Sequence, residues 1–185
     1  MRTYSAQTSE FLAMARRGDY LVLDTETTGL ERGEIIQIAI VDFHGKVLLD
    51  SYVRPMDGIP NTHIHGIDDT DVSDAPRWYQ IAQQVQDILR GRDLIVYNAV
   101  YDRKMMHQSA EACQMPKTEW KEICNWYCAM LAYAEIYGDW NEYRQSYRWQ
   151  KLTYAMDMQK LKISAAHTAL GDALMTLALV KSLVK

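Results

Sequence analysis

Cysteine and proline are scarce in this chain of 185 residues, which contains three cysteines and four prolines. The cysteines, Cys113, Cys124 and Cys128, are odd in number and include no Cys-x-x-Cys pair. A zinc site would need more ligands at tighter spacing. We therefore expect the three side chains to be buried thiols in a reducing compartment.

Long apolar runs, targeting signals and linkers are also missing. The apolar run at residues 173–180 is much shorter than the roughly 20 residues that a membrane-spanning helix needs. The first residues lack the apolar core of a secretory signal, and no lipid-anchor motif is present. We expect a cytoplasmic protein with no membrane partner. Because no repeat or Pro/Gly/Ser-rich linker divides the chain, we expect one domain over residues 1–185, with residues 1–18 as a helical extension.

An excess of positive charge is the third absence. The chain has 20 Lys and Arg against 24 Asp and Glu, a net charge of -4. This balance argues against a protein that holds long duplex DNA electrostatically. It is compatible with an enzyme that contacts a few nucleotides at the end of a strand.

The first half of the chain shows both helical and strand-like patterns. A helix is predicted over residues 7–17, ended by Gly18. Three strands, antiparallel neighbours, are predicted at residues 20–23, 35–41 and 47–53. A long loop follows over residues 54–72, and loops of that length are often functional. Ser73 or Asp74 is then expected to cap a helix with Pro76 in its first turn.

The second half is predicted to be mostly helical. A short strand at residues 94–97 leads into a helix at residues 101–113. Residues 115–159 are interpreted as helical, with an interruption near Gly138. Residues 168–184 are apolar almost all round, which predicts a buried helix.

Acidic residues occur where these predicted elements would otherwise be apolar. Asp24 and Glu26 follow a buried strand, and residues at i and i+2 on a strand point to the same face. Asp102 follows a second apolar strand at the start of a helix, and Asp172 lies in the apolar helix near the end of the sequence. Buried carboxylates need a cationic partner. His167 precedes Asp172 by five residues, which is not one helical face, so we expect it on the loop or first turn, directed to the same site.

Four carboxylates and a histidine suit one kind of chemistry. Mg²⁺ prefers oxygen ligands, and two such ions about 4 Å apart can activate a water and stabilise the leaving oxygen of a phosphodiester. A histidine can accept the proton of that water near neutral pH.

Four motifs, in order, carry a family resemblance. They are Asp-Thr-Glu-Thr-Thr-Gly-Leu at 24–30, Ile-His-Gly-Ile at 64–67, Asn-Ala-x-Tyr-Asp at 98–102, and His-x4-Asp at 167–172. With these motifs the sequence resembles the DEDDh, or DnaQ-like, 3′→5′ exonucleases of the ribonuclease H-like superfamily. The resemblance covers about residues 20–184.

The resemblance implies an α/β fold with a central five-stranded mixed sheet flanked by helices. It implies that Asp24, Glu26, Asp102 and Asp172 hold two Mg²⁺ or Mn²⁺ ions and that His167 is the general base. It also implies a pocket for the terminal nucleotide, lined by Thr27, Leu30, His65 and Asn98. The reaction implied is removal of nucleoside 5′-monophosphates from a nucleic acid 3′ end.

Two positions depart from the usual motif of the family. Tyr97 stands where a His usually precedes Asn98, and Tyr101 replaces a Phe. The segment at residues 138–150, which we call the aromatic-basic segment, interleaves Trp, Tyr and Arg side chains. Such a segment can hold a single strand or can pack its rings on the domain.

Three functions remain open at this point. The first is a 3′→5′ exonuclease on single-stranded DNA or DNA 3′ ends, acting in repair, end trimming or proofreading, with a polymerase or a second copy of the chain as candidate partner. The second is an RNA-trimming or oligoribonucleotide exonuclease. The third is a binding module without turnover.

Overall fold

The computed structural model describes residues 3–60, 62–162 and 167–185, apart from the side chain of Ile64. A five-stranded sheet in the order β3-β2-β1-β4-β5 forms its centre. The strands are β1 (Leu21–Thr27), β2 (Ile35–Asp42), β3 (Val47–Tyr52), β4 (Asp93–Val96) and β5 (Asn125–Cys128). β1, β2 and β3 are antiparallel neighbours, whereas β4 is parallel to β1 and β5 is parallel to β4. The predicted mixed sheet is confirmed.

Helices flank this sheet, and a small hairpin lies outside it. The helices are α1 (Ala6–Arg17), α2 (Thr62–His65), α3 (Trp78–Leu89), α4 (Ala99–Ala112), α5 (Trp120–Ile123), α6 (Ala129–Tyr137), α7 (Leu152–Met158) and α8 (Ala169–Leu183). The hairpin pairs β6 (Trp140–Asn141) with β7 (Ser146–Tyr147). None of the helices in the described part of the chain is long and apolar enough to cross a membrane.

The two faces of the sheet have separate apolar cores. On one face Val22 packs with residues of α1, α6 and α8. On the other face Leu21 and Leu23 pack with residues of α3 and α4. Since neighbouring strand residues alternate in direction, Asp24 and Glu26 lie on the α8 face and Thr25 lies on the α4 face.

The predicted N-terminal helix is confirmed, and the cysteine prediction is confirmed in part. Ser5 accepts a hydrogen bond from the Thr8 N–H at 3.2 Å, and Gly18 ends α1 in the left-handed conformation that glycine adopts without strain. The three cysteines form no disulfide, but Cys124 alone is fully buried. The division of the chain into one domain with a helical extension stays a prediction.

The predicted start of the helix at Ser73 or Asp74 is wrong. Residues 70–75 use their N–H groups in turns, as in the bonds from Ser73 to Thr70 and from Ala75 to Val72. α3 instead begins at Trp78, after Pro76, with Arg77 as its N-cap residue. The Gln80 side chain, in the first turn of the helix, accepts a hydrogen bond from the backbone N–H of the cap residue Arg77 at 2.7 Å.

The helical interpretation of residues 115–159 is also wrong in part. This range contains three helices, α5, α6 and α7. The four-residue strand β5 separates α5 from α6, and the hairpin separates α6 from α7. β5 is held by its parallel ladder with β4, from Asp93 opposite Asn125 to Val96 opposite Cys128. Such a short strand has no periodicity of its own, so tertiary pairing decides its conformation. Gly138, at φ 87, does end α6 as predicted.

Candidate active site

Three carboxylates converge at the end of β1. Oxygen atoms of Asp24, Glu26 and Asp172 all lie within 4.8 Å of one another. Asp24 and Glu26 project from the same face of β1, and α8, which carries Asp172 in its first turn, packs across that face. The predicted i, i+2 pair on a strand thus meets the predicted helical acid at one point.

The start of α8 is fixed to the sheet by a residue that the sequence analysis missed. Gln37, in β2, lies opposite Glu26 in the strand register. Its side-chain oxygen accepts the N–H of Ala169, the first residue of α8, at 3.1 Å, and its amide donates to Asp50 at 3.2 Å. Gln37 therefore places the first turn of α8, and with it Asp172, against β1. The available signal was one amide within the apolar run of β2.

Asp102 approaches from the other face of the sheet. It lies in the first turn of α4, is 3% exposed, and accepts a hydrogen bond from the Thr25 hydroxyl at 2.8 Å. It is outside the closest group of three, but its charge raises the pKa of both Asp24 and Glu26. Thr25 thus anchors Asp102 beside β1 at the edge of the acidic cluster, which we define as Asp24, Glu26, Asp102 and Asp172.

Burial and mutual repulsion make the acidic cluster electrostatically unfavourable without a cation. Burial, followed by repulsion from the other three acids, raises the pKa of Asp24 well above its usual value. Burial is also the largest cause that raises the pKa of Glu26 and of Asp102 to about 7, and it raises that of Asp172. Among the described residues, no Lys or Arg forms an ion pair with these acids. This donor set fits divalent cations, which favour carboxylate oxygen ligands.

His167 lies at the rim of the acidic cluster. It is exposed, and its N–H donates to Asp172 at 3.4 Å. Its φ of 68 is in the left-handed region, which is uncommon for a residue with a Cβ. The prediction that it lies just before the helix rather than on the face of Asp172 agrees with Thr168 being the N-cap of α8.

The loop between β1 and β2 presents Leu30 to solvent, with 76% of its surface exposed. The Tyr101 hydroxyl lies 2.5 Å from the Thr27 hydroxyl and donates to the Gly29 carbonyl at 3.2 Å. The departure from Phe to Tyr at position 101 therefore supplies a contact that a Phe lacks. This contact joins residues 74 positions apart, so the sequence shows the departure but does not predict the contact.

α4 holds the same loop at two further points. Lys104 donates to the Leu30 carbonyl at 3.0 Å, and Gln108 donates to the Glu31 carbonyl at 2.6 Å. Tyr101, Lys104 and Gln108 follow helical spacing, so they share one face of α4. The loop that carries Leu30 is consequently fixed to the helix that carries Asp102.

Asn98 and His65 have different surroundings. Asn98 is half-buried, lies two residues after the end of β4, and is the N-cap residue of α4. His65 is buried on α2, where its Nδ1 accepts the Ile67 N–H at 3.1 Å and its Nε2 is buried without a partner among the described residues. Burial is the main cause that lowers the pKa of His65. Of the motif at residues 64–67, the side chain of Ile64 lies outside the described residues, and the roles of Asn98 and His65 stay predictions.

A family model for exonucleases, RNase T, matches residues 21–180. The chain belongs to this exonuclease family. The matched range contains all four acids and His167, and the prediction of a DEDDh-type exonuclease that acts from the 3′ end is confirmed.

Relatives of this exonuclease include phage and cellular proteins. The chain is 35% identical over 173 residues to the exonuclease CP81 of Escherichia phage 186, covering 90% of this chain and 89% of the relative. It is 33% identical over 110 residues to the PolC-type DNA polymerase III of Streptococcus thermophilus, covering 55% of this chain but 7% of the polymerase. It is 31% identical over 91 residues to RNA exonuclease 4 of Gibberella zeae, covering 46% of this chain and 28% of the relative.

Solved structures share the fold. The nuclease domain of 3′hExo, a DEDDh family member bound to rAMP, superposes with a TM-score of 0.66 at 17% identity, over 89% of this chain and 90% of that one. Pop2p of S. pombe, in a form with Mg²⁺ and Mn²⁺, gives a TM-score of 0.63 at 16% identity, over 93% of this chain and 85% of that one. Both similarities support the ribonuclease H-like fold.

Proposed function

We propose that this exonuclease removes nucleoside 5′-monophosphates from the 3′ end of single-stranded DNA, with Asp24, Glu26, Asp102 and Asp172 as ligands of two Mg²⁺ or Mn²⁺ ions. The observation that carries the proposal is the convergence of three carboxylates within 4.8 Å at the end of β1, where none of the described Lys or Arg side chains forms an ion pair with them. The Mg²⁺ and Mn²⁺ form of the Pop2p neighbour supports the choice of ions.

Two such ions, when bound, supply an activated water and stabilise the leaving oxygen of a phosphodiester. His167 accepts the proton of the attacking water at a ring nitrogen, a role for which its exposed position beside Asp172 is suited. Water oxygen adds to the phosphorus, the bond from phosphorus to the 3′ oxygen breaks, and that oxygen takes up a proton. The 5′ phosphate stays on the released nucleotide.

Leu30, on its anchored loop, packs against the terminal base in this proposal. Thr27 lies at the end of β1, one residue beyond Glu26, and reaches the terminal sugar. His65 and Asn98 complete the pocket for the terminal nucleotide. Because α4 fixes this loop, Leu30 is held at a defined distance from the acidic cluster, which supports its role as the contact to the base.

RNA is the second candidate substrate. The similarity to RNA exonuclease 4 and the rAMP bound to the 3′hExo domain support it, whereas the similarity to a PolC-type DNA polymerase supports DNA. Repair, end trimming and proofreading beside a separate polymerase are the settings that we propose for a DNA substrate. Chemistry at the phosphate does not separate the two sugars.

A time course with 5′-labelled single-stranded DNA and RNA of one sequence tests the proposal. With Mg²⁺ or Mn²⁺ we expect a ladder that shortens from the 3′ end, faster on DNA, and no cleavage in EDTA. The Asp24→Asn variant, purified in parallel, controls for contaminating nuclease. A faster RNA ladder would replace the DNA assignment, and no cleavage of either strand with metal present would favour the binding module.

A further inference from the structure

A second concave surface lies at the β5 edge of the sheet, between α1 and α4. Its volume is about 730 Å³, within the range of small-molecule and cofactor sites. We call it the edge groove. Its lining includes Val100 and Arg103 of α4, which we call the α4 wall, Trp126 of β5, and Tyr147 and Trp149 of the aromatic-basic segment. None of these residues belongs to the acidic cluster or to the predicted pocket for the terminal nucleotide.

The edge groove lies beside α4, the helix that carries Asp102. Val100 and Arg103 flank Asp102 in the sequence of α4, so the groove begins within one helical turn of that acid. The Tyr97 hydroxyl donates to the Gln150 carbonyl at 2.7 Å. This bond fixes Gln150, the residue after Trp149, to Tyr97, which lies between β4 and Asn98.

The lining of the edge groove includes aromatic rings and a guanidinium. Trp149 is 66% exposed, and Tyr147 packs edge-on against Trp140 with ring centroids 5.0 Å apart. The Arg103 guanidinium carbon lies 5.2 Å from the centre of the Trp126 ring. Bases stack on such rings in proteins that bind single strands, and arginine beside them contacts phosphate.

The two acids that line the edge groove are on its α1 side and already accept hydrogen bonds. Glu135 accepts from the Ser5 N–H at 2.7 Å and from the Ser5 hydroxyl at 2.6 Å. Glu10 accepts from the Tyr127 hydroxyl at 3.4 Å. Their charge is therefore directed to α1 and β5, while Arg103 is the charged group on the α4 wall. This distribution favours a phosphate backbone along the α4 wall.

We propose that the edge groove binds the single strand upstream of the cleavage site, on the 5′ side of the nucleotides held at the acidic cluster. Bases stack on Trp149 and Tyr147, and Arg103 contacts the backbone. The inference rests on the proposed function and assigns a role to the aromatic-basic segment that the sequence analysis left open. The alternative occupant, an extended peptide paired with the β5 edge, is an outcome of the test.

The test compares substrates of different length on the complete chain. The p-nitrophenyl ester of thymidine 5′-monophosphate is too short to reach the edge groove and reports the acidic cluster alone. A series of 5′-labelled single strands of increasing length reports the edge groove as well. We expect KM to fall with length in the wild type, and Trp149→Ala or Arg103→Gln to raise KM for the long strands about tenfold, the usual size of one stacking or phosphate contact.

Matched controls separate the edge groove from general effects of ring or charge removal. Tyr143→Ala removes a 96% exposed ring from the tip of the same hairpin, outside the groove lining. Arg90→Gln removes the same charge at the C-cap of α3. Both controls are expected to bind long strands like the wild type. Tyr97→Phe retains the ring but loses the bond to Gln150, so it supplies a second, less disruptive variant with a smaller rise in KM.

Binding without turnover gives the second readout, by fluorescence anisotropy of a labelled strand in EDTA. Equal binding by Trp149→Ala and Tyr143→Ala, or a wild-type KM that does not change with length, would overturn the inference. The inference would also be overturned if these substitutions weakened the binding of an extended peptide but left the binding of the single strand unchanged. Failure of the wild type to hydrolyse the ester with metal present would instead overturn the proposed function, which makes the two failures distinguishable.

Discussion

Each acid of the cluster reduces the stability of the metal-free fold because its charge is buried among like charges. The pKa of Asp24 is raised by burial first and then by the charges of Asp102, Asp172 and Glu26. When no cation is bound, each charged carboxylate of the cluster therefore repels its acidic neighbours. An uncharged side chain of similar volume at position 24 would therefore stabilise the metal-free fold better than Asp24 does.

Replacement of Asp24 by Asn is expected to abolish cleavage and to raise the melting temperature of the protein in EDTA at about pH 8. The amide has similar volume but no charge, so it removes both a metal ligand and a buried repulsion. Thermal unfolding by circular dichroism, beside the ladder assay, checks both effects. Asp74→Asn, on an exposed turn, is the control. Cleavage near the wild-type rate would contradict the assignment of Asp24 as a ligand.

Replacement of Tyr101 by Phe is expected to raise KM for single strands about two- to tenfold, with kcat nearly unchanged. The substitution removes only the hydroxyl that contacts Thr27 and Gly29, and so loosens the loop of Leu30 without touching the acids. Steady-state kinetics on a short strand measures the split. Tyr79→Phe, on the exposed side of α3, is the control. A fall in kcat with unchanged KM would show that the hydroxyl acts on the chemical step instead.

At the scale of elements, the acidic cluster depends on how α8 meets the sheet. Gln37 is the link, because its oxygen accepts the first N–H of α8 while its strand position lies opposite Glu26. A helix start has free N–H groups that need acceptors. Here a strand side chain supplies one, and so sets where Asp172 lies.

Replacement of Gln37 by Leu is expected to raise the Mg²⁺ concentration needed for half-maximal activity and to lower stability by about 1–3 kcal/mol, the usual cost of an unpaired buried N–H. Metal titration of the initial rate and urea unfolding measure the two effects. Gln84→Leu, on the exposed face of α3, is the matched control. An unchanged metal requirement would mean that α8 is held in place without Gln37.

Sequence periodicity predicted the elements whose pattern is local. β1 to β3 and α8 were predictable because β-rich runs separated by glycines and a long apolar run are visible in the residues themselves. β5 was not, because four residues acquire strand geometry only by pairing with β4. Arg77 was not predicted as the cap because its backbone N–H donates to the Gln80 side chain, and Arg is not a typical N-cap residue.

The candidate site divides in a similar way. The spacing of Asp24 and Glu26 predicted a shared face, and the structure brings Asp172 to them. The bonds of Gln37 to Ala169 and of Tyr101 to Thr27 join residues that are 132 and 74 positions apart. Contacts over such distances depend on the completed fold, and no local pattern contains them.

At the scale of the whole molecule, the acidic cluster couples stability to pH. The folded pKa of Glu26 is about 7, above its ordinary value of 4.5, and that of Asp102 is also about 7. Between these values the folded protein binds more protons than the unfolded chain does. Rising pH therefore removes stability over this window in the metal-free protein.

Unfolding by urea in EDTA is accordingly expected to show a free energy of unfolding that decreases from about pH 5 to about pH 8. Saturating Mg²⁺ is expected to reverse the trend, since a ligand of the folded state stabilises it and competes with protons for the same oxygens. The same series on Asp24→Asn should show a weaker pH dependence. A wild-type profile that rises over this range in EDTA would contradict the raised pKa values.

The separation of the four acids along the chain has a consequence for synthesis. Asp24 and Glu26 come early, whereas the turn and helix that bring His167 and Asp172 are anchored to β2 by a bond that spans 132 positions. Synthesis from the N-terminus produces Asp24 and Glu26 well before His167 and Asp172. A polypeptide whose synthesis stops before α8 thus lacks Asp172, so the acidic cluster is complete only when translation is nearly finished.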